Sequence, residues 1–134
     1  MAATALPVNF DMRPYRGDDY LVGFVYDETD PDTGDSLITD IAGWAAHLQI
    51  RSAPGGSVWL DLTDVSGLGL ALGDEGIEIS VHIPAAETAS DSWAGRTDGS
   101  WDVQLTNPSG IVTTPFAGRF LLRQDITRTV TPSV

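Results

Sequence analysis

Four aspartates lie within nine residues of one polar segment and are the clearest candidates for metal chemistry in this sequence. They are Asp27, Asp30, Asp32 and Asp35. Carboxylate oxygens on a loop are the hard ligands that Ca²⁺ prefers. Counted from Asp30, however, position twelve of an EF-hand-type loop is Ile41, where such a site needs a bidentate Glu. The segment therefore has two interpretations, a weak calcium site and a solvated acidic turn, and we favour the turn.

Other catalytic chemistry has few candidates. The chain contains no cysteine, which excludes thiol catalysis, disulfides and thiolate zinc sites. Its two histidines, His47 and His82, fall on the outward faces of predicted strands, where they would share a metal only if those strands pair. The sequence has no Gly-x-Ser-x-Gly elbow, and the glycine-rich segment 67–73 is followed by no Lys that would bind phosphate. We therefore predict that the protein is not an enzyme and that calcium is its sole candidate cofactor.

Two of the four tryptophans are predicted to lie on the surface. Trp59 is on the outward face of a strand, and Trp93 is in a loop between polar residues. Exposed aromatic rings often form contact surfaces or platforms for sugars, so these two are candidate interaction residues. The alternative is that they cover a sheet edge or a second face. Trp44 and Trp101 fall on inward faces and are predicted core anchors.

The charge balance narrows the choice of partners. There are 19 acidic residues against seven basic ones, all seven being Arg, and the formal net charge is −12. A surface this negative repels phosphate backbones and anionic membranes, so we expect neither nucleic acid nor a membrane as partner. Solubility explains most of this charge, and a cation or a basic partner is the other interpretation.

Period-two alternation of apolar residues dominates the chain and is typical of half-buried strands. The alternation is clearest in four segments, 44–51, 57–63, 76–83 and 100–106. The residues predicted to point inward in the four segments are Trp44, Ala46, Leu48 and Ile50; Val58, Leu60 and Leu62; Ile77, Ile79, Val81 and Ile83; and Trp101, Val103 and Leu105. Further strands are predicted at 20–26, 111–114, 119–124 and, less clearly, 7–12.

Turn residues separate these strands. Pro and Gly at 53–56 and at 107–110 predict two hairpins, and Pro84 opens one short helical segment, 84–91. Seven or eight short strands in 134 residues predict a single all-β domain, an antiparallel β-sandwich in preference to a small barrel.

Several motifs together resemble a known family. They occur in the order Ile38–Trp44, Leu48–Arg51, Ala53–Gly56, Ile83–Ala86, Gly99–Thr106 and Gly118–Phe120. This order is similar to that of the immunoglobulin-like N-terminal domain of the siphophage baseplate upper protein and its stand-alone phage and prophage relatives. The resemblance covers roughly residues 36–124, and the acidic loop before Ser36 departs from the family pattern.

The resemblance implies an immunoglobulin-like sandwich and a structural role in a phage virion. Such a protein would dock onto other virion proteins of the tail, baseplate, neck or capsid surface, form a homo-oligomer or symmetric assembly, and occupy the host cytoplasm during assembly. Residues 1–19, with Arg13 and Arg16 as candidate contacts, are a candidate N-terminal arm, and residues 127–134 are a candidate tail. The alternative is a calcium-assisted carbohydrate-binding module. In that case Trp59 and Trp93 would stack on a glycan, and the acidic loop would bind calcium.

Overall fold

The computed structural model describes residues 7–124. Its elements in chain order are β1 (Val8–Asn9), β2 (Tyr20–Tyr26), β3 (Ala45–Arg51), β4 (Val58–Thr63), β5 (Leu68–Gly73), β6 (Gly76–Ile83), α1 (Ala85–Ala89), a 3-10 turn (Asp91–Trp93), β7 (Asp98–Thr106) and β8 (Val112–Leu121). The eight strands form two sheets, with orders β1-β8-β7-β3-β4 and β2-β6-β5. The prediction of an all-β sandwich is confirmed.

The core lies between the two sheets and follows the alternation of the sequence. In β6 the four predicted inward residues are at most 1% exposed, and the side chains between them, such as Glu78 and His82, face solvent. The five-stranded sheet contributes four fully buried side chains to the core, Leu48 and Ile50 of β3 and Val103 and Leu105 of β7. Each such side chain contributes about 1.5–3 kcal/mol through its burial.

The chain changes sheets between β4 and β5 within four residues. Thr63 donates a backbone hydrogen bond of 2.9 Å to the carbonyl of Ser66, and Gly67 adopts a φ of +100°. The next segment, glycine-rich and predicted as no strand, forms strand β5. Its three leucines alternate with Gly69, Ala71 and Gly73; Leu68 is buried, Leu70 is half-buried and Leu72 is 42% exposed.

Strand β4 departs from the predicted alternation because it contains a bulge. Ile50 of β3 pairs with Leu60, but its neighbour Arg51 pairs with Val58, which leaves Trp59 as the extra residue. An extra residue reverses the side to which the preceding residues point. Val58 is consequently 41% exposed, and the prediction that it points inward is wrong.

The N-terminal segment runs parallel to β8 with a constant offset of 108 positions. Val8 pairs with Phe116, Met12 with Phe120 and Tyr15 with Arg123. This parallel contact differs from the predicted purely antiparallel sandwich, although every other strand pair is antiparallel. The described part of the candidate arm is thus an edge of the sandwich and does not extend away from it. Residues 1–6 and the candidate tail, 127–134, lie outside the described residues.

The segment 84–91 contains the predicted short helix, α1, which has five residues. Within residues 7–124, no helix is long and apolar enough to cross a membrane.

Candidate docking surfaces

The acidic loop uses its carboxylates to organise its own backbone. Asp27 accepts a hydrogen bond of 2.6 Å from the Ser36 hydroxyl, and Asp30 accepts one of 2.8 Å from the amide of Asp32. Within residues 7–124, no three His, Asp or Glu side chains are grouped as metal ligands. The structure therefore does not bring Asp27, Asp30, Asp32 and Asp35 together as one calcium site, and these contacts are those of an acidic turn.

Trp93 is buried, so the prediction that it is a surface aromatic is wrong. Its side chain is 0% exposed, and its indole N–H donates a hydrogen bond of 2.7 Å to Oε2 of Glu87. The ring centroid lies 5.9 Å from that of Phe120 in β8. The polar neighbours of Trp93 in the sequence suggest an exposed loop. In the structure, α1 and the 3-10 turn fold back and direct its ring into the sandwich.

Trp59 packs with Trp93 instead of forming a platform on the surface. The bulge in β4 places its ring 6.0 Å from that of Trp93 and 6.5 Å from that of Phe120, in edge-to-face geometry. The Arg96 guanidinium covers both indoles, 4.9 Å from the centroid of Trp93 and 5.5 Å from that of Trp59. The aromatic platform on which the carbohydrate-binding alternative depended is therefore absent from residues 7–124.

The two histidines lie on different sheets and do not approach each other, so a shared site is not formed. Nε2 of His47 lies 2.7 Å from Oδ1 of Asp61, and Nε2 of His82 lies 3.1 Å from Oδ1 of Asp19. Both pairs are solvent-exposed, and such exposed pairs contribute little to stability.

The two arginines of the candidate arm have different roles. The Arg16 guanidinium donates hydrogen bonds to the carbonyls of Thr88, at 2.8 Å, and Ser90, at 3.1 Å, and so binds the carboxyl end of α1. Arg13 is exposed and lies 3.5 Å from Asp11. Arg16 thus holds the N-terminal segment to the sandwich, and Arg13 remains a candidate contact residue.

The first surface suited to docking is the free edge of β2, which we call the β2 edge. Strand β2 pairs with β6 on one side, and no strand within residues 7–124 pairs with its other side. All seven of its residues are uncharged and none is proline. Leu21 and Val25 project from its outer face and are 73% and 49% exposed. Charges and prolines normally protect such edges, so the β2 edge has the composition of a strand that another strand can pair with.

The second surface is a groove of about 550 Å³ on the outer face of the five-stranded sheet, which we call the β3–β7 groove. Side chains of β3 and β7 line it, and the hairpin at Pro54 closes one end. Gln49 accepts two hydrogen bonds from the Arg51 guanidinium, at 2.7 and 3.0 Å, and donates one of 2.9 Å to Asp61. Arg51 also donates a hydrogen bond of 2.7 Å to the carbonyl of Gly56, and this bond fixes the hairpin.

Asp102 is the carboxylate of β7 that lines this groove. It is partly buried, opposite Gln49 on β3 and Ala117 on β8. Burial raises its pKa, and the attraction of Arg51 and His47 only partly offsets this. No residue within 7–124 donates a hydrogen bond to its side chain. Sequence reasoning missed Asp102 because an outward-facing aspartate in an alternating strand has no local signal that distinguishes it.

Comparison of the sequence with models of known protein families matches no family, and comparison with curated proteins finds no match.

Proposed function

We propose that this protein is a non-enzymatic structural component of a phage virion, which docks onto other virion proteins by strand addition at the β2 edge. The observation that carries this proposal is the β2 edge itself. Its seven residues include no charged residue and no proline, and two of them, Leu21 and Val25, expose apolar side chains on the outer face. A partner strand would pair with the free backbone groups of the edge, and its alternate side chains would contact the outer face.

The energetics favour such an addition. Each backbone hydrogen bond formed contributes about 0.5–1.5 kcal/mol net. Covering Leu21 and Val25 adds at most about 1.5–3 kcal/mol for each side chain. Between them lies Gly23, and a shallow furrow of about 390 Å³ extends from Gly23 past Ser80 to Gly69. The furrow leaves room for a side chain of the partner.

The edge is held on a rigid base, which reduces the entropy lost on binding. Phe24 of β2 is buried with its ring centroid 4.8 Å from that of Phe116 and 5.3 Å from that of Trp101. Strand β2 also pairs with β6 over all seven residues. The order of sequence motifs that resembles the baseplate upper protein domain supports the phage assignment.

The test uses phage particles produced from the genome that encodes this chain. In purified particles we expect the protein in a fixed ratio to the major capsid protein. The double variant Leu21→Lys/Val25→Lys should lower this ratio at least tenfold, because charged side chains at an edge oppose strand addition. Ala71→Lys, on the outer face of the opposite edge strand β5, is the matched control and should be incorporated normally.

Two results would contradict the proposal. The first is protein that remains in the lysate and is absent from particles. The second is incorporation of the double variant, folded as judged by its circular dichroism, into particles at the same ratio as the parent protein.

A further inference from the structure

The outer face of the five-stranded sheet contains two aspartates in contrasting environments. Asp61 accepts hydrogen bonds from Gln49 and lies against His47, and these contacts hold its pKa below the ordinary value. Asp102 lies one strand beyond Gln49 and has no such donor among residues 7–124, and its pKa is raised by burial. Asp61 is therefore hydrogen-bonded within the fold, whereas Asp102 has lost part of its hydration and gains no hydrogen-bond donor within residues 7–124.

The groove leaves space beside this carboxylate. Its neighbour on β8 is Ala117, whose side chain is a single methyl group, and the backbone of Gly118 also lines the groove. On the other side, Arg51 is already bonded to Gln49 and to the Gly56 carbonyl. A ligand that enters the groove can thus reach Asp102 without displacing an existing hydrogen bond.

The chemistry of Asp102 indicates what should occupy the groove. An ionised carboxylate accepts hydrogen bonds, and charge-assisted bonds from a cation are roughly twice as strong as neutral ones. The net charge of −12 also attracts cations and repels anions at long range. Pro54 and Ala117 provide apolar surface along the groove, which suits the aliphatic stem of a long basic side chain.

We propose that the β3–β7 groove is a second docking site, which binds an arginine side chain of a partner protein with its guanidinium on Asp102. This site lies on the sheet opposite the β2 edge. It rests on the proposed function only in that the partner is a protein. Together the two surfaces would contact partners on both faces of the sandwich.

The experiment is a titration of ¹⁵N-labelled protein with the blocked peptide Ala-Ala-Arg-Ala-Ala, followed by NMR. We expect chemical-shift changes confined to the amides that surround the groove, at Gln49, 100–104, Ala117 and Gly118. Asp102→Asn should weaken binding at least tenfold, and Asp74→Asn, an exposed acid in the β5–β6 turn, should leave it unchanged. The same peptide with citrulline in place of arginine tests the need for charge and should not bind.

A second variant protects the test against unfolding of the first. Ala117→Leu keeps Asp102 but fills the floor of the groove, so it should also abolish the shift changes. The variant Leu21→Lys/Val25→Lys should bind the arginine peptide normally, which separates failure at this site from failure of the β2 edge. Equal binding of the citrulline peptide, or binding that survives Asp102→Asn, would overturn the proposal. Shift changes centred on residues 27–35, or binding of the neutral sugar maltotriose in this groove without dependence on Asp102, would overturn it as well.

Discussion

The indole N–H of Trp101 donates a hydrogen bond of 2.8 Å to the backbone carbonyl of Phe10, 91 positions earlier in the chain. The bond ties β7 to the N-terminal segment across the intervening strand β8. It passes over Gly118, which pairs with Trp101 and whose lack of a side chain leaves room for the Phe10 carbonyl.

Gly118→Ala should detach the N-terminal segment, because a Cβ at this position would overlap the Phe10 carbonyl. We expect a loss of about 1–3 kcal/mol in the free energy of unfolding, as for other overpacked positions. Hydrogen exchange of the amides of residues 10–16 should accelerate before that of β6. The control is Gly23→Ala, where a Cβ would meet only the Ile79 carbonyl, at 3.7 Å. A Gly118→Ala protein with unchanged stability and exchange would show that the segment is not held at this crossing.

Arg96→Ala should increase the exposure of the two indoles that its guanidinium covers, buried Trp93 and half-buried Trp59. Loss of the two cation–π contacts should cost about 0.5–2 kcal/mol, and tryptophan fluorescence should shift to longer wavelength. Arg13→Ala, which removes an exposed arginine that lies 3.5 Å from Asp11, should change stability by less than about 0.5 kcal/mol. If Arg96→Ala has the emission spectrum of the parent, the guanidinium does not shield these rings.

The decrease in the free energy of unfolding at acid pH should depend on Asp61. Hydrogen bonds from Gln49 and His47 lower its pKa from 3.8 in the folded protein, so the folded state binds its proton less tightly than the unfolded state. Its contribution is therefore present above pH 3.8 and is lost as the pH falls through the folded pKa. In urea titrations between pH 2.5 and 7, the free energy of unfolding should fall less steeply with decreasing pH for Asp61→Asn than for the parent protein. An identical pH dependence in the two proteins would mean that these contacts do not stabilise the ionised form.

Asp102 should have the opposite effect on the pH dependence of stability. Its folded pKa is raised above 3.8, so the folded state holds the proton more tightly and stability declines as the pH rises from 3.8 through the folded pKa. Asp102→Asn should remove this decline and make the protein more stable than the parent at pH 7. Lower stability of Asp102→Asn at pH 7 would show that the carboxylate is compensated by a contact in the free protein.

Calcium should leave the thermal stability unchanged. The Asp27 and Asp30 carboxylates are bonded to Ser36 and to the Asp32 amide, and within residues 7–124 no group of three acidic or histidine side chains is arranged as a ligand set. Because a ligand that binds only the folded state raises Tm, we expect equal Tm values with 5 mM CaCl₂ and with EDTA. A calcium-dependent increase in Tm that Asp30→Asn abolishes would restore the calcium site.

The alternation of apolar residues was sufficient to predict the sandwich and the inner faces of β3, β6 and β7. In those strands one face is buried, and the position of each side chain follows from a period of two. The same rule failed at Trp59, because a single extra residue in β4 changes the facing side and leaves no trace in composition. It also missed β5, where three leucines alternate with Gly69, Ala71 and Gly73 and the glycines are typical of a loop.

The candidate site was harder to predict, because it depends on contacts between distant segments. The polar neighbours of Trp93 in the sequence predict an exposed ring, but the folded α1 brings Glu87 to its indole N–H and the ring is buried. Asp102 and Asp61 are both outward-facing aspartates in alternating strands, and their different neighbours across the sheet give them different environments. Such neighbours are set by strand order, which a single sequence does not reveal.

The parallel register of residues 8–16 with residues 116–123, which include the second half of β8, has a mechanical consequence. Residue 7 lies at the end of this pair where Phe116 begins the contact, and residue 124 follows Arg123 at the other end, about 23 Å away at the usual rise per residue. A force that pulls residues 7 and 124 apart therefore draws the two segments past each other along their length. The load is then shared by all the hydrogen bonds between them, from Phe10 to Arg16, and they must break together and not in sequence. The sandwich is consequently built to resist tension along the direction in which its described ends point.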